Sequence, residues 1–376
     1  MKKQTLQLKD LYLGFRDPDT IKSYAKQIKE VASRLPKEIN IMEVCGGHTH
    51  TIMKYGLKQL LPENVKFIHG PGCPVCIMPK ERVEHAITLA KERDVILVTL
   101  GDMIKVPGAN GTLQDVRADG ADVRFVYSPS DALKIAQENL LKRVIFFAIG
   151  FETTTPMTAA LINQVVEKKI NNIFFHINHV TVPEPMRVIL EDKENRIDAF
   201  IGPSHVSVIS GSKIYEEFAS KYKKPLVISG FEPVDVMHSI HMILQQINEG
   251  RSEVEVEYSR SVNYEGNMKA QELNALYFEK RNTFKWRGLG EIALSGLQLK
   301  EQYSYLDAEV LYRDTLGDES IEDHKLCICA DVLRGKADPK ECKVFATLCT
   351  PATPLGSCMV SSEGACAAYY KYGNLL

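Results

Sequence analysis

Nine cysteines stand in two groups on this chain of 376 residues: Cys45, Cys73 and Cys76 near the start, then Cys327, Cys329, Cys342, Cys349, Cys358 and Cys366 within the last 50. Cysteines used as small apolar filler scatter through a core. Two groups around a silent middle point instead to two thiol chemistries carried by one scaffold. Cys73 and Cys76 form a C-x-x-C pair in HGPGCPVC (69–76), the spacing at which two thiols bridge or share a metal. Pro71 and Pro74 stiffen this loop, and His69 adds a titratable neighbour. With no second pair beside it in sequence, a four-thiolate zinc site is not expected there.

The six late cysteines begin with a C-x-C step and continue with gaps of 12, 6, 8 and 7 residues. Structural zinc favours C-x(2–4)-C pairs. Wide, irregular gaps without histidine suit a [4Fe–4S] cube held by four thiolates, and two cysteines then remain for a disulfide beside it. The plainer readings of the same segment are a disulfide knot or a zinc site. The tail has few aliphatic residues, so a cofactor is expected to hold it together.

Cys45 lies in IMEVCGGHTHTIMK (41–54), where an apolar strand runs into Gly46 and Gly47 and then a helix. In an open parallel sheet, ligands bind at the carboxyl ends of strands. Glycine lets backbone approach a ligand closely, and a helix N-terminus favours thiolates and anions. His48 and His50 fall within reach of the same turn. A small buried cysteine in a capped turn is the structural alternative. GDMIKVPG (101–108) contributes Asp102 and Lys105. GFETTTP (150–156) places Glu152 and three threonines before Pro156, a good first helical residue. Helix capping accounts for the threonines, and a position for Glu152 on the wall of a cleft is the functional alternative.

The elements that must carry these residues read as α/β. Eight near-continuous apolar runs, starting at 39, 65, 95, 123, 143, 172, 197 and 225, have the character of parallel strands covered on both faces. Amphipathic stretches such as 81–94 and 156–169 lie between them at helical spacing. The runs divide into two groups of four, which predicts two related parallel-sheet lobes facing a cleft, 1–128 and 129–250. After residue 250 a polar extended stretch, a helix at NMKAQELNALYFEKR and a Gly-rich loop at WRGLGEIALSG lead into the tail. Residues 251–376 are therefore expected to form a small C-terminal cysteine-rich domain.

Composition narrows the function classes. The chain is 44% hydrophobic and 25% charged with a formal net charge of −2, which gives no reason to expect nucleic acid as a partner. The run VIFFAIGF (144–151) is far shorter than the ~20 residues that span a bilayer. No secretory h-region is visible in MKKQTLQLKD. The expected setting is cytoplasmic, where thiols stay reduced, so metal or redox work is favoured over cross-links.

CGGHTH, GPGCPVC, GDMIKVPG, GFETTTP, GPSHVS, SGFEP and CMVSSEGACAAYYKY together closely resemble the hydrogenase maturation factor HypD family over almost the whole chain. The resemblance implies assembly of the Fe(CN)2CO unit of [NiFe] hydrogenases. It also implies partnership with a small HypC-type chaperone and a HypE-type cyanide donor, and a C-terminal [4Fe–4S] domain like that of ferredoxin:thioredoxin reductase. The family pattern C-x12-C-x6-C-x16-C selects Cys329, Cys342, Cys349 and Cys366 as cluster ligands and leaves Cys327 and Cys358 as the neighbouring redox pair. Ala330 departs from the glycine expected after the C-x-C. Cys45 would hold the nascent iron, His48 would hydrogen-bond its cyanide, and Cys73 and Cys76 would cycle between dithiol and disulfide. A cluster-dependent thiol–disulfide oxidoreductase acting on a protein client, or a zinc-stabilised binding protein, are the competing classes.

Overall fold

A computed structural model describes residues 13–317 and 320–373, so the N-terminal stretch read for a signal lies outside the described residues. All eight apolar runs are strands: β1 (Ile39–Glu43), β2 (Val65–His69), β3 (Val95–Leu100), β4 (Val123–Val126), β5 (Arg143–Gly150), β6 (Ile173–His179), β7 (Ala199–Pro203) and β8 (Leu226–Ser229). A ninth, β9 (Val254–Val256), comes from the polar stretch after residue 250. Every pairing among the nine is parallel. Burial on both faces explains the unbroken apolar runs, and β7 and β8 are buried at each position.

The strands form two sheets, in the orders β2-β1-β7-β8-β9 and β4-β3-β5-β6. Two α/β lobes are present, but the division into consecutive fours at 128/129 does not describe them. β3 and β4 pair with β5 and β6, while β7 returns to lie beside β1 with Ile41 opposite Ala199. One lobe is therefore interrupted in sequence by the other. Apolar runs of similar character do not reveal which neighbour each will accept.

The cysteine-rich C-terminal region expected after residue 250 is present and packs closely on both lobes. β9 edges the first sheet, and the helix Met268–Tyr277 packs on the helix Thr155–Glu167. The expected Gly-rich loop is an antiparallel hairpin, Thr283–Trp286 with Gly290–Ala293. Trp286 is fully buried, and its indole N–H donates to Ser295 Oγ at 2.8 Å. Cys349, Cys358 and Cys366 share one apolar core with Cys73, Cys76, Val44 and Phe151. The tail thus caps the lobes, with helix Ala365–Tyr372 laid against helix Gly46–Lys54. Among the described residues, no helix is long and apolar enough to cross a membrane.

Candidate functional site

The carboxyl ends of β1 and β7 in one sheet, and of β3 and β5 in the other, meet at a cleft of about 440 Å³. Cys45, Asp102, Thr154 and His205 line it from the lobes, and Ser361 and Glu363 line it from the tail. The strand-end position expected for Cys45 is the one observed. Cys45 has extended backbone at the N-cap of helix Gly46–Lys54, and its neighbours require glycine. A Cβ on Gly46 would collide with Glu363, and one on Gly47 would come 2.6 Å from the Phe231 ring. A Cβ on Gly72 would run into the Cys45 backbone. The CGG and GPG loops are therefore stacked, with Gly46 N–H donating to Gly72 O at 3.1 Å.

The expected lowering of the Cys45 thiol is not what this setting produces. Burial pushes the thiol well up, the Glu363 carboxylate adds to the rise, and the Gly47 N–H opposes it only in part. A thiolate at Cys45 needs a cation beside it.

Beneath Cys45 lies an acid that sequence reading passed over. Glu43 is fully buried, and its carboxylate accepts the Cys45 N–H at 3.3 Å and the Thr49 hydroxyl, and meets His69 Nδ1 at 2.6 Å. Burial raises it above the usual carboxylate range. Tyr369 donates to Asp338 at 2.9 Å and lies 3.2 Å from His69 Nε2, so the network ties the Cys45 loop to the tail helix. The available signal was a glutamate inside an apolar strand run, one that demands buried partners.

His48 faces away from the cleft. Its Nε2 lies 3.1 Å from both Ser229 O and Gly230 O, so this nitrogen donates, and the ring packs on Phe231 at 4.7 Å. Burial lowers it to about 4, so it is neutral, and its buried Nδ1 has no partner. With its donor committed to backbone, His48 does not offer the hydrogen bond expected of it toward the cleft. His205, carried by the GPSHVS motif, is the imidazole that lines the cleft, edge-on to Phe231 at 4.6 Å.

Cys73 and Cys76 are disulfide-bonded, with Cα atoms 5.2 Å apart, and are only 3% and 1% exposed. Pro74 and Val75 between them line the cleft. The Ser357 hydroxyl donates to Cys76 O at 2.5 Å, which joins this loop to the tail thiols. Among those thiols Cys329 is the hub, in side-chain contact with Cys327, Cys358 and Cys366. Cys349 accepts the Leu355 N–H at 3.4 Å, and Cys342 lies 3.7 Å from Leu326 O. Cys327 and Cys358 are free thiols here. An all-thiol donor set around a core suits an iron–sulfur cluster. Gly356 leaves it room, since a Cβ there would sit 2.6 Å from Cys327 Sγ and 2.7 Å from Cys329 Sγ.

Glu152 lies behind the cleft wall rather than on it, with Oε1 accepting the Val182 N–H at 3.0 Å and Oε2 buried without a partner. The threonines beside it do not cap. The Thr154 and Thr155 hydroxyls donate back to Phe151 O, at 3.2 and 3.0 Å. Burial lifts the Glu152 carboxyl to about 7 from an ordinary 4.5. The folded state thus holds this proton more tightly than the unfolded chain. The resulting stability is full below about pH 4.5 and is lost as pH rises through about 7. Glu152→Gln is expected to reduce the fall in stability between pH 5 and pH 8 by roughly 1–3 kcal/mol. Denaturant midpoints at the two pH values measure this, and parallel pH profiles for the two proteins would contradict it.

Comparison with known proteins relates the whole chain to one family. A family model described as HypD, hydrogenase formation hypA family, matches residues 19–373. The hydrogenase maturation factor HypD2 of Bradyrhizobium diazoefficiens is 49% identical over 366 residues, covering 96% of this chain and 96% of that protein. The hydrogenase maturation factor HypD of Cupriavidus necator is 49% identical over 366 residues with the same coverage of each. The Escherichia coli protein of that name is 45% identical over 362 residues, covering 95% of this chain and 96% of its own.

Proposed function

The chain belongs to the HypD family, and from that premise we propose that it is the scaffold on which the Fe(CN)2CO group of [NiFe] hydrogenases is assembled. The observation that carries this reading is the placement of Cys45 at a cleft where the carboxyl ends of both sheets meet. A thiolate is a suitable soft donor for low-spin iron(II) bearing cyanide and carbon monoxide. Here the iron substrate supplies the positive charge that the raised Cys45 thiol lacks.

Cyanide arrives from a HypE-type donor at the open side of the cleft. A HypC-type chaperone supplies a second ligand and leaves with the iron. His205 would hydrogen-bond a cyanide nitrogen at the cleft, and Asp102, which accepts the Ser361 hydroxyl at 3.0 Å, would take up protons there. His48 fixes the helix that presents Cys45. The Cys73–Cys76 pair stores two electrons when reduced.

Cys329, Cys342, Cys349 and Cys366 would hold a [4Fe–4S] cluster, with Cys327 and Cys358 beside it. When bound, that group supplies one-electron chemistry. The setting is the cytoplasm. A thiol–disulfide oxidoreductase acting on a protein client is the weaker reading, because the burial of Cys73 and Cys76 keeps a client's thiols away.

Infrared spectra of protein isolated without oxygen, together with its small partner, test the proposal. Stretches of iron-bound cyanide and carbon monoxide are expected. Their absence from a complex that retains iron would refute it.

A further inference from the structure

The turn of the hairpin Thr283–Trp286/Gly290–Ala293 carries a buried cation that the proposed chemistry leaves unused. Arg287 is 5% exposed. Its Nε–H donates to Asp323 Oδ1 at 2.7 Å, and Nη2 lies 2.7 Å from the same oxygen without completing a hydrogen bond. Nη1 and Nη2 are buried and have no hydrogen-bond partner. Leaving a buried charged donor such as Nη1 without a hydrogen-bond partner is costly, and an unsatisfied group of this kind calls for an explanation such as a ligand.

The backbone around this side chain is wedged in place. Arg287 N–H donates to Ile77 O at 2.8 Å, one residue beyond the C-x-x-C pair. Gly288 has φ +81°, and a Cβ there would lie 2.8 Å from Ala330 Cα, next to Cys329. The turn is thus held between the early cysteine loop and the late C-x-C step.

We propose that Arg287 is the fixed counter-ion of the iron–sulfur cluster in the tail, donating from its unpartnered Nη1 to cluster sulfur and raising the cluster's reduction potential. This rests on the reading that the tail cysteines hold such a cluster. Reduction adds one negative charge to a site largely out of water, where a nearby positive charge acts strongly. Net charge and hydrogen bonds to sulfur are among the factors that set cluster potentials. Asp323, on the partly exposed side of the guanidinium, offsets part of that charge.

The test uses the full chain purified without oxygen, with iron and sulfide quantified and the cluster titrated against potential by electron paramagnetic resonance. Arg287→Met is expected to keep its iron and sulfide but titrate at lower potential. At the wild-type midpoint its ratio of reduced to oxidised cluster should fall at least about tenfold, which is ~59 mV for a one-electron couple. Arg287→Lys should recover part of the shift. Asp323→Asn should move the midpoint upward, and it decides the matter should Arg287→Met fail to fold. Fully loaded Arg287→Met and Asp323→Asn proteins that titrate within twofold of wild type would overturn the proposal and leave the cluster reading standing. Wild-type protein without iron and sulfide would remove both.

Discussion

Cys45→Ala protein is expected to keep its iron–sulfur absorption and to lose all infrared bands of iron-bound cyanide and carbon monoxide. The two effects separate because the positions are separate. Cys45 lines the cleft at the end of β1, whereas Cys349, Cys358 and Cys366 are buried in the core behind it. Removing the thiol leaves the fold nearly unchanged, since the Cys45 N–H to Glu43 and the Gly46 N–H to Gly72 are both backbone donors. Hydrogenase maturation in cells carrying this variant should fall to background, a loss of at least about a hundredfold if the thiolate is the sole protein ligand from this chain, each ~1.4 kcal/mol of lost binding being a factor of ten. Bands at normal intensity would place the iron on another residue.

Cys366→Ser is expected to lose the cluster altogether and to loosen residues 327–370, whereas Cys327→Ser should hold its iron and sulfide. Cys366 lies in the first turn of the helix that packs on Gly46–Lys54, so cluster loss there is felt by the fold. A group bound at a hundred to a thousand times its Kd adds about 3–4 kcal/mol to stability. Limited proteolysis and thermal melts should register the loss of that increment. Cys329→Ser, Cys342→Ser and Cys349→Ser should behave as Cys366→Ser does, and Cys358→Ser as Cys327→Ser does. Full iron in Cys342→Ser together with loss in Cys358→Ser would shift the ligand set toward the thiols that touch Cys329.

Much of this is legible in the amino-acid sequence. The eight strands could be read because a parallel strand covered on both faces leaves an unbroken apolar run, and Cys45 could be read because a thiol and two glycines followed such a run. The polar edge strand β9 left no such trace. Nor did the partner of β1, because Ile41 meets Ala199 across more than 150 intervening residues and many apolar runs would fit equally well. His48 and His205 show the limit at the level of a single side chain. Both sit in motifs at strand ends, yet only the packing around Phe231 decides that one is locked onto backbone and the other faces the cleft. Arg287 was written inside a stretch read as a glycine-rich loop, and its burial follows from a hairpin that the glycines concealed.

The interrupted lobe also dictates a schedule for synthesis. The β4-β3-β5-β6 sheet is encoded without a break between residues 95 and 179, so it can close while the chain is still emerging. β1 and β2 are made first but must wait for β7, and closing so long a span slows folding more than it costs in stability. The wall of the cleft supplied by Ser361 and Glu363 arrives later still. Cys45 therefore gains its complete surroundings only after the tail cysteines have left the ribosome, and a thiol that could capture stray metal has no finished site to hold it until that tail has folded.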